Sequence, residues 1–205
     1  MEMFEMDQRT EEILGFWFGS LDELGRASAE QRKKWWTKSS EFDDEIKARF
    51  ETDYDAVTAG EREGWRRSAR GALAYIIVVD QFSRNMFRGT PRMFAADGLA
   101  REACREGLER GFREALAFDE RVFFYLPLEH SEDLTAQRRC AKLFEAEVEQ
   151  APDALKADAQ YYLDFAERHR AIIERFGRFP HRNEILNRES TPEELAFLNE
   201  PGSSF

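Results

Sequence analysis

The chain has 205 residues, of which 42% are hydrophobic and 13% aromatic, and this composition is typical of one globular domain over residues 1–205. The formal net charge of -11 disfavours nucleic-acid binding, because a negative surface repels the phosphate backbone. We expect a cytoplasmic protein without a disulfide framework or membrane association, because it has two cysteines, no leader-like opening and no apolar run longer than residues 72–79.

Helical periodicity dominates the chain, since apolar residues recur at intervals of three and four and strand-type alternation is nearly absent. Capping residues, prolines and glycines set the approximate boundaries of the predicted helices. These helices lie at about residues 13–18, 28–36, 40–59, 68–87, 90–108, 122–128, 131–144, 152–176 and 191–198. We therefore predict an all-α fold of about eight or nine helices, with antiparallel neighbours wherever the connections are short.

Two adjacent tryptophans, Trp35 and Trp36, close the second predicted helix. Such a pair can stack a base or a sugar of a ligand. Tryptophans at helical positions are more often packed in the core, however, and we expect both to be core residues.

Several segments follow one another in an order that resembles a known family. They are WFG at 17–19, DQFSRNMFRGTPR at 80–92, FFYLPLEHSED at 123–133, HRAIIERFGRFPHRN at 169–183 and STPEE at 190–194. Together they resemble the bacterial family of unknown function numbered 924. The resemblance implies stacked antiparallel hairpins in a superhelix like that of tetratricopeptide repeats, and it implies no particular activity. Ser83 stands where the family pattern has proline, and Asn187 where it has glycine.

A first polar group begins where the central apolar helix ends. Asp80, Arg84 and Arg88 follow at intervals of four, so they project from adjacent turns of one helix face. A buried carboxylate needs a partner, which makes Asp80 and Arg84 a natural ion pair and a structural clamp. Alternatively, Arg84 and Arg88 receive the carboxylate or phosphate of a ligand, and Asn85 suits either role.

A second basic group lies in residues 168–182, where five arginines and one glutamate give a local charge of +4. These arginines either form ion pairs with acidic helix faces or belong to a binding site. In the second case Arg178, His181, Arg182 and Asn183 join the arginines of the first group in a basic groove. Such a groove would bind an acidic peptide or a small anionic metabolite, and this is the leading functional hypothesis.

The histidines of the chain, His130, His169 and His181, all fall in the segments that resemble the family. His169 lies on an apolar helix face and is either a core residue or, if Glu129 or Asp80 reaches it, half of an acid–base pair. Together with His130 these residues form the candidate catalytic set of the alternative hypothesis, a hydrolase-like enzyme acting on an anionic substrate. Glu129 can equally serve as a helix-capping residue. The histidine spacing matches no metal-binding motif, so we predict no metal and no cofactor.

Overall fold

The structure is a computed structural model that describes residues 8–203, and this part of the chain is helical without any strand beyond an isolated bridge between Leu21 and Ala27. The α-helices are α1 (Gln8–Phe18), α2 (Ala29–Trp36), α3 (Ser40–Thr58), α4 (Ala69–Ile76), α5 (Ser83–Met86), α6 (Asp97–Glu109), α7 (Phe118–Glu129), α8 (Leu134–Gln150), α9 (Asp153–Phe176) and α10 (Pro192–Leu198). The predicted all-α fold is confirmed.

Local signals in the sequence account for several of these boundaries. The hydroxyl of Ser28 accepts a hydrogen bond of 3.1 Å from the amide of Gln31, which begins α2. Thr191 and Glu194 form a reciprocal capping box at the start of α10. Gly177 ends α9 in the left-handed region with a φ of 68°, where a side chain would be strained.

The helix expected over residues 68–87 contains a six-residue π-helical stretch, Ile77–Phe82, between α4 and α5. Every side chain of this stretch is buried. π-Helical turns are rare and often occur at functional sites. The periodicity of apolar residues did not indicate this one, because residues 71–83 are buried on every side and so carry no one-sided pattern.

Two other helices differ from their predicted bounds. The segment after Thr90 forms only the 3-10 turn Pro91–Phe94, and α6 begins at Asp97. The carbonyl of Met93 accepts a hydrogen bond from Ser83 instead of continuing a helix. In the other case α7 begins earlier than expected and contains Pro127, which lies in its last turn and therefore disturbs few backbone hydrogen bonds.

The described part of the chain divides into two compact units, which we call unit 1 (residues 8–88 and 92–127) and unit 2 (residues 89–91 and 128–203). In unit 1, α4, which is buried from Gly71 to Ile76, and the buried π-helical stretch pack against α1, α3 and α6. The expectation of two core tryptophans is wrong for Trp36, which is 52% exposed. Its partner Trp35 is partly buried, and its indole N–H donates to the carbonyl of Trp17 at 2.8 Å.

Unit 2 is built on the hairpin of α8 and α9, which Ala151 and Pro152 join and which pack along their length. A hydrophobic cluster links the end of α9 to α10. Its buried members are Ile172, Ile173, Phe179 and Phe197, with Leu134 and Phe176 packed against them. The tetratricopeptide-like superhelix and the single domain over residues 1–205 stay predictions. In the part of the chain that is described, no helix has both the length and the apolar character of a membrane span.

Candidate functional site

Asp80 and Arg84 form a buried ion pair at the end of the π-helical stretch in unit 1. Asp80 is fully buried, and its Oδ1 lies 3.2 Å from Nη1 of Arg84. The same guanidinium lies 3.1 Å from Oδ1 of Asp97 and donates to the backbone carbonyl of Asp80 at 2.6 Å. Burial opposes the charged form of Arg84, but the two carboxylates outweigh it and raise the pKa of Arg84. Arg84 is thus held by carboxylates of its own unit.

Asn85 and Arg88 both bind Asp43, a residue of α3 that sequence reasoning did not select. Nε and Nη2 of Arg88 donate to the two oxygens of Asp43 at 2.6 and 2.8 Å, and the amide of Asn85 donates at 2.7 Å. Burial of Asp43 acts to raise its pKa, but these hydrogen bonds lower it overall. This bidentate pair connects α5 to α3. It supports the clamp hypothesis over the hypothesis that Arg88 belongs to an open anion-binding site.

Arg178 and Asn183 make the corresponding contacts in unit 2. Arg178 donates to both oxygens of Glu194 at 2.6 and 2.8 Å, and Asn183 donates to Glu194 at 3.3 Å and to Ser190 at 3.0 Å. The hydrogen bonds from Arg178 are the main reason that the pKa of Glu194 falls to about 2. Arg178 and Asn183 therefore fasten α10 to the segment that follows α9.

A second anchor in unit 2, the pair of Glu132 and Arg188, was also missed. Nη1 and Nη2 of Arg188 donate to the two oxygens of Glu132 at 2.7 and 2.9 Å, and the amide of Phe179 donates to the same carboxylate at 2.8 Å. The two residues are 56 positions apart in sequence, so no local spacing could reveal their pairing.

His169 meets Glu129, as the acid–base hypothesis requires. Oε1 of Glu129 lies 3.4 Å from Nδ1 of His169, and the carbonyl of Phe165, one turn earlier in α9, lies 2.9 Å from the same nitrogen. Because both neighbours of Nδ1 are oxygen atoms, Nδ1 carries the proton. The other ring nitrogen, Nε2, is then the acceptor.

Two of the three histidines lie beside Phe179, and the third lies beside one of them. The rings of His130 and His169 are 6.5 Å apart, and Phe179 lies 5.6 Å from both His169 and His181. The guanidinium carbon of Arg182 lies 4.5 Å from the centre of the Phe179 ring. We call this group the histidine cluster, and it consists of Glu129, His130, His169, His181 and Arg182.

Burial and mutual repulsion act together on the histidine cluster. Burial lowers the pKa of His169 to about 3, with further contributions from His130, His181 and Arg182. Burial also lowers the pKa of His181 to about 4, and Arg182 is the next largest cause. Both imidazoles are therefore neutral near pH 7. His130 and His181 are partly exposed, whereas His169 and Arg182 are buried.

Of the residues proposed from sequence, Glu129, His130, His169, His181 and Arg182 come together in unit 2. Asp80, Arg84, Asn85 and Arg88 lie in unit 1 and are bound to carboxylates or amides there. A groove that combines arginines of both units stays a prediction. Over residues 8–203, no three His, Cys, Asp or Glu side chains are arranged to hold a metal ion, and Cys104 and Cys140 are buried free thiols.

Comparison with known proteins agrees with the sequence resemblance. The family model "Bacterial protein of unknown function (DUF924)" matches residues 13–202. A solved structure, "Structure of Protein of Unknown Function ATU0120 from Agrobacterium tumefaciens", is 40% identical, with a TM-score of 0.79, over 94% of this chain and 97% of that one. No curated protein matches the chain. The chain therefore belongs to the bacterial family of unknown function DUF924.

Proposed function

We propose that the protein binds a small anionic molecule, one that carries a carboxylate or a phosphate, at the histidine cluster of unit 2. The observation that carries this proposal is that His169, His181 and Arg182 lie around Phe179, with His130 beside His169. Burial is the main cause of the lowered pKa of His169 and His181, and repulsion from neighbouring cationic groups adds to it. An anion among these groups would offset that repulsion. Partial exposure of His130 and His181 gives such an anion a route from solvent.

The proposed binding set is smaller than the one selected from sequence. Arg84, Arg88 and Arg178 each hold a carboxylate of the protein itself, and displacing that carboxylate would leave it without its partner. Asn183 likewise binds Glu194 and Ser190. Arg178 and Asn183 support the fold of unit 2, and Arg84 and Arg88 support that of unit 1. An acidic peptide would reach the cluster only through a terminal or side-chain carboxylate.

The test is a calorimetric titration with inorganic phosphate and with succinate at about pH 6 and about pH 8. Affinity should rise at the lower pH, because the bound anion favours protonated histidine. Arg182→Gln should weaken binding about tenfold or more, a change of at least ~1.4 kcal/mol.

Arg175→Gln is the matched control, because it removes the same charge from an exposed residue of α9 that pairs with Glu193. It should bind like the parent chain. Because Arg182 is buried, circular dichroism spectra and melting curves must show that the Arg182→Gln variant is folded at the temperature of the titration. Equal affinity of the two variants for both anions would refute the proposal.

A second candidate function, hydrolysis by acid–base chemistry, is favoured by the contact between Glu129 and His169. In this proposal Glu129 and the carbonyl of Phe165 hold the Nδ1 proton, and Nε2 accepts a proton from the water that attacks an ester of the anionic substrate. The ester bond then breaks, and the leaving oxygen takes that proton back from Nε2. The lowered pKa of His169 keeps this base neutral near pH 7. His130 lies beside it as a second proton carrier, and Asp80, which belongs to the clamp of unit 1, takes no part.

The two functions separate in one experiment with p-nitrophenyl phosphate as substrate and inorganic phosphate as ligand. His169 is the buried histidine of the cluster, so the partly exposed His130 and His181 and the guanidinium of Arg182 still hold the anion when it is replaced. His169→Gln should therefore abolish turnover while phosphate affinity changes by less than about threefold. Turnover that survives this substitution would exclude His169 as the base. Parent protein that binds phosphate without any turnover of esters would leave binding as the whole function.

A further inference from the structure

The exposed indole of Trp36 lies flat on a buried ring of unit 1. Trp36 is the last residue of α2, a helix of eight residues none of which is buried. Its ring is 52% exposed and stacks on Phe123 at 5.8 Å between centroids, with only 10° between the ring planes. Phe123 itself is fully buried. The offset stack therefore covers part of the indole, and about half of the side chain stays exposed to solvent.

The support beneath this indole is rigid. Trp35 contacts the Phe123 ring edge-on at 4.6 Å and the Trp36 ring edge-on at 6.4 Å. The indole N–H of Trp35 is fixed by the carbonyl of Trp17 at 2.8 Å. A flat ligand that stacked on Trp36 would meet a preorganised surface, so little conformational entropy would be lost on binding.

The indole stands in a strongly basic segment of an acidic chain. Residues 31–40 contain four cationic side chains and no carboxylate, against a net charge of -11 for the whole chain. Lys33 precedes Trp36 by three positions and so lies on the same helix face. Lys38 follows Trp36 two positions later, and its charge also helps to lower the pKa of Asp43. Lys34 is 3.8 Å from Glu30, but both side chains are exposed, so this pair neutralises little of the positive charge.

We propose that Trp36, Lys33 and Lys38 form a binding site for a nucleoside phosphate. The base extends the stack of Phe123 and Trp36, and the phosphate lies against the lysine ammonium groups. An exposed indole in a parallel stack suits a single flat ring. A lipid surface would require a larger apolar area than one indole on an eight-residue helix provides. The site shares no residue with the histidine cluster.

Adenosine monophosphate is the probe, with binding followed by calorimetry and by quenching of tryptophan fluorescence. Trp36→Ala should weaken binding about tenfold or more, and Trp36→Phe should retain it within about threefold, because phenylalanine keeps a face for stacking. Lys33→Gln should weaken binding by about two- to fivefold. Two exposed residues serve as matched controls, and Lys47→Gln and Tyr161→Ala should bind like the parent chain.

Further ligands define the chemistry and separate it from anion binding in unit 2. Adenosine should bind more weakly than its monophosphate, and inorganic phosphate should leave tryptophan fluorescence unchanged. If a short oligodeoxyadenylate binds much more tightly than the monophosphate, the natural ligand is a single-stranded nucleic acid. If the oligodeoxyadenylate and the monophosphate bind with equal affinity, the natural ligand is a free nucleotide. The proposal is overturned if the monophosphate shows no saturable binding up to about 10 mM. The proposal is equally overturned if Trp36→Ala binds the monophosphate with normal affinity. It is also overturned if anionic vesicles, and not the monophosphate, shift the part of the tryptophan emission that Trp36→Ala removes.

Discussion

Replacement of Asp80 by asparagine tests the buried clamp of unit 1. The substitution removes a negative charge that lies 3.2 Å from Arg84 and leaves Asp97, at 3.1 Å, as the remaining carboxylate partner of that guanidinium. Removal of one partner from a buried ion pair typically costs about 3–5 kcal/mol. Because Asp97 still balances part of the charge, we expect a loss of about 2–3 kcal/mol. For a chain of this length, that loss lowers the melting temperature by about 4–12 °C.

The assay is thermal and urea unfolding of Asp80→Asn, Arg84→Met and the double variant. Arg84→Met should be the more destabilising single change, because it leaves the fully buried carboxylate of Asp80 without its cationic partner. The double variant should recover about 1–3 kcal/mol relative to the sum of the single losses. Glu45→Gln is the matched control, because Glu45 and Arg49 have the same spacing but are about half exposed, at 51% and 49%. If Asp80→Asn melts within 1 °C or so of that control, the clamp account is wrong.

Three further predictions concern packing, backbone conformation and pH. A Cβ at Gly107 would lie 2.5 Å from the ring of Phe124, so Gly107→Ala should lose about 1–3 kcal/mol in urea unfolding, whereas Gly98→Ala, with open space on the same helix, should be neutral or stabilising. Asn187 has a φ of 52°, so Asn187→Gly should raise stability by up to ~1 kcal/mol, and a lower melting temperature would contradict this. Because the pKa of His169 is lowered to about 3, the unfolded chain takes up a proton first as the pH falls below about 6.5, and His169 alone should contribute a stability loss of about 1–2 kcal/mol by about pH 5. His181, whose pKa is lowered to about 4, adds to this loss. His169→Gln should show a shallower loss over this range, and an unchanged slope would count against the pKa argument.

The sequence indicated the helices because their boundaries depend on nearby residues. Ser28 caps α2, and Gly177 ends α9, through contacts within a few positions. The family resemblance also identified Asn187 as a residue at a glycine position, which agrees with its positive φ. The π-helical stretch Ile77–Phe82 was not predicted. A π-helical turn holds one more residue than an α-helical turn and shifts the positions of the apolar residues that follow it. A helix that is buried on all sides is apolar throughout, so this shift leaves no trace in its sequence.

The site was predicted less completely, because side-chain partners depend on tertiary packing. Arginine and histidine were selected by residue type, but the carboxylate that Arg88 binds, Asp43, lies 45 positions away. The proximity of Glu129 to His169 was considered in advance only as a condition for acid–base chemistry. Trp36 is exposed, although tryptophans in helices are usually buried. The sequence signal that could have suggested this exposure is the ten-residue segment around Trp36, which has four basic and no acidic residues.

The most direct test of the proposed function is a nuclear magnetic resonance titration of the imidazole nitrogens with inorganic phosphate. The chain has three histidines, so single substitutions assign every imidazole signal. Anion binding at the histidine cluster predicts saturable shifts of His130 and His181 together, with a rise in the pKa of His181 from about 4 and loss of the response in Arg182→Gln. Imidazole signals that remain unchanged at saturating phosphate, in a protein that stays folded, would contradict the account.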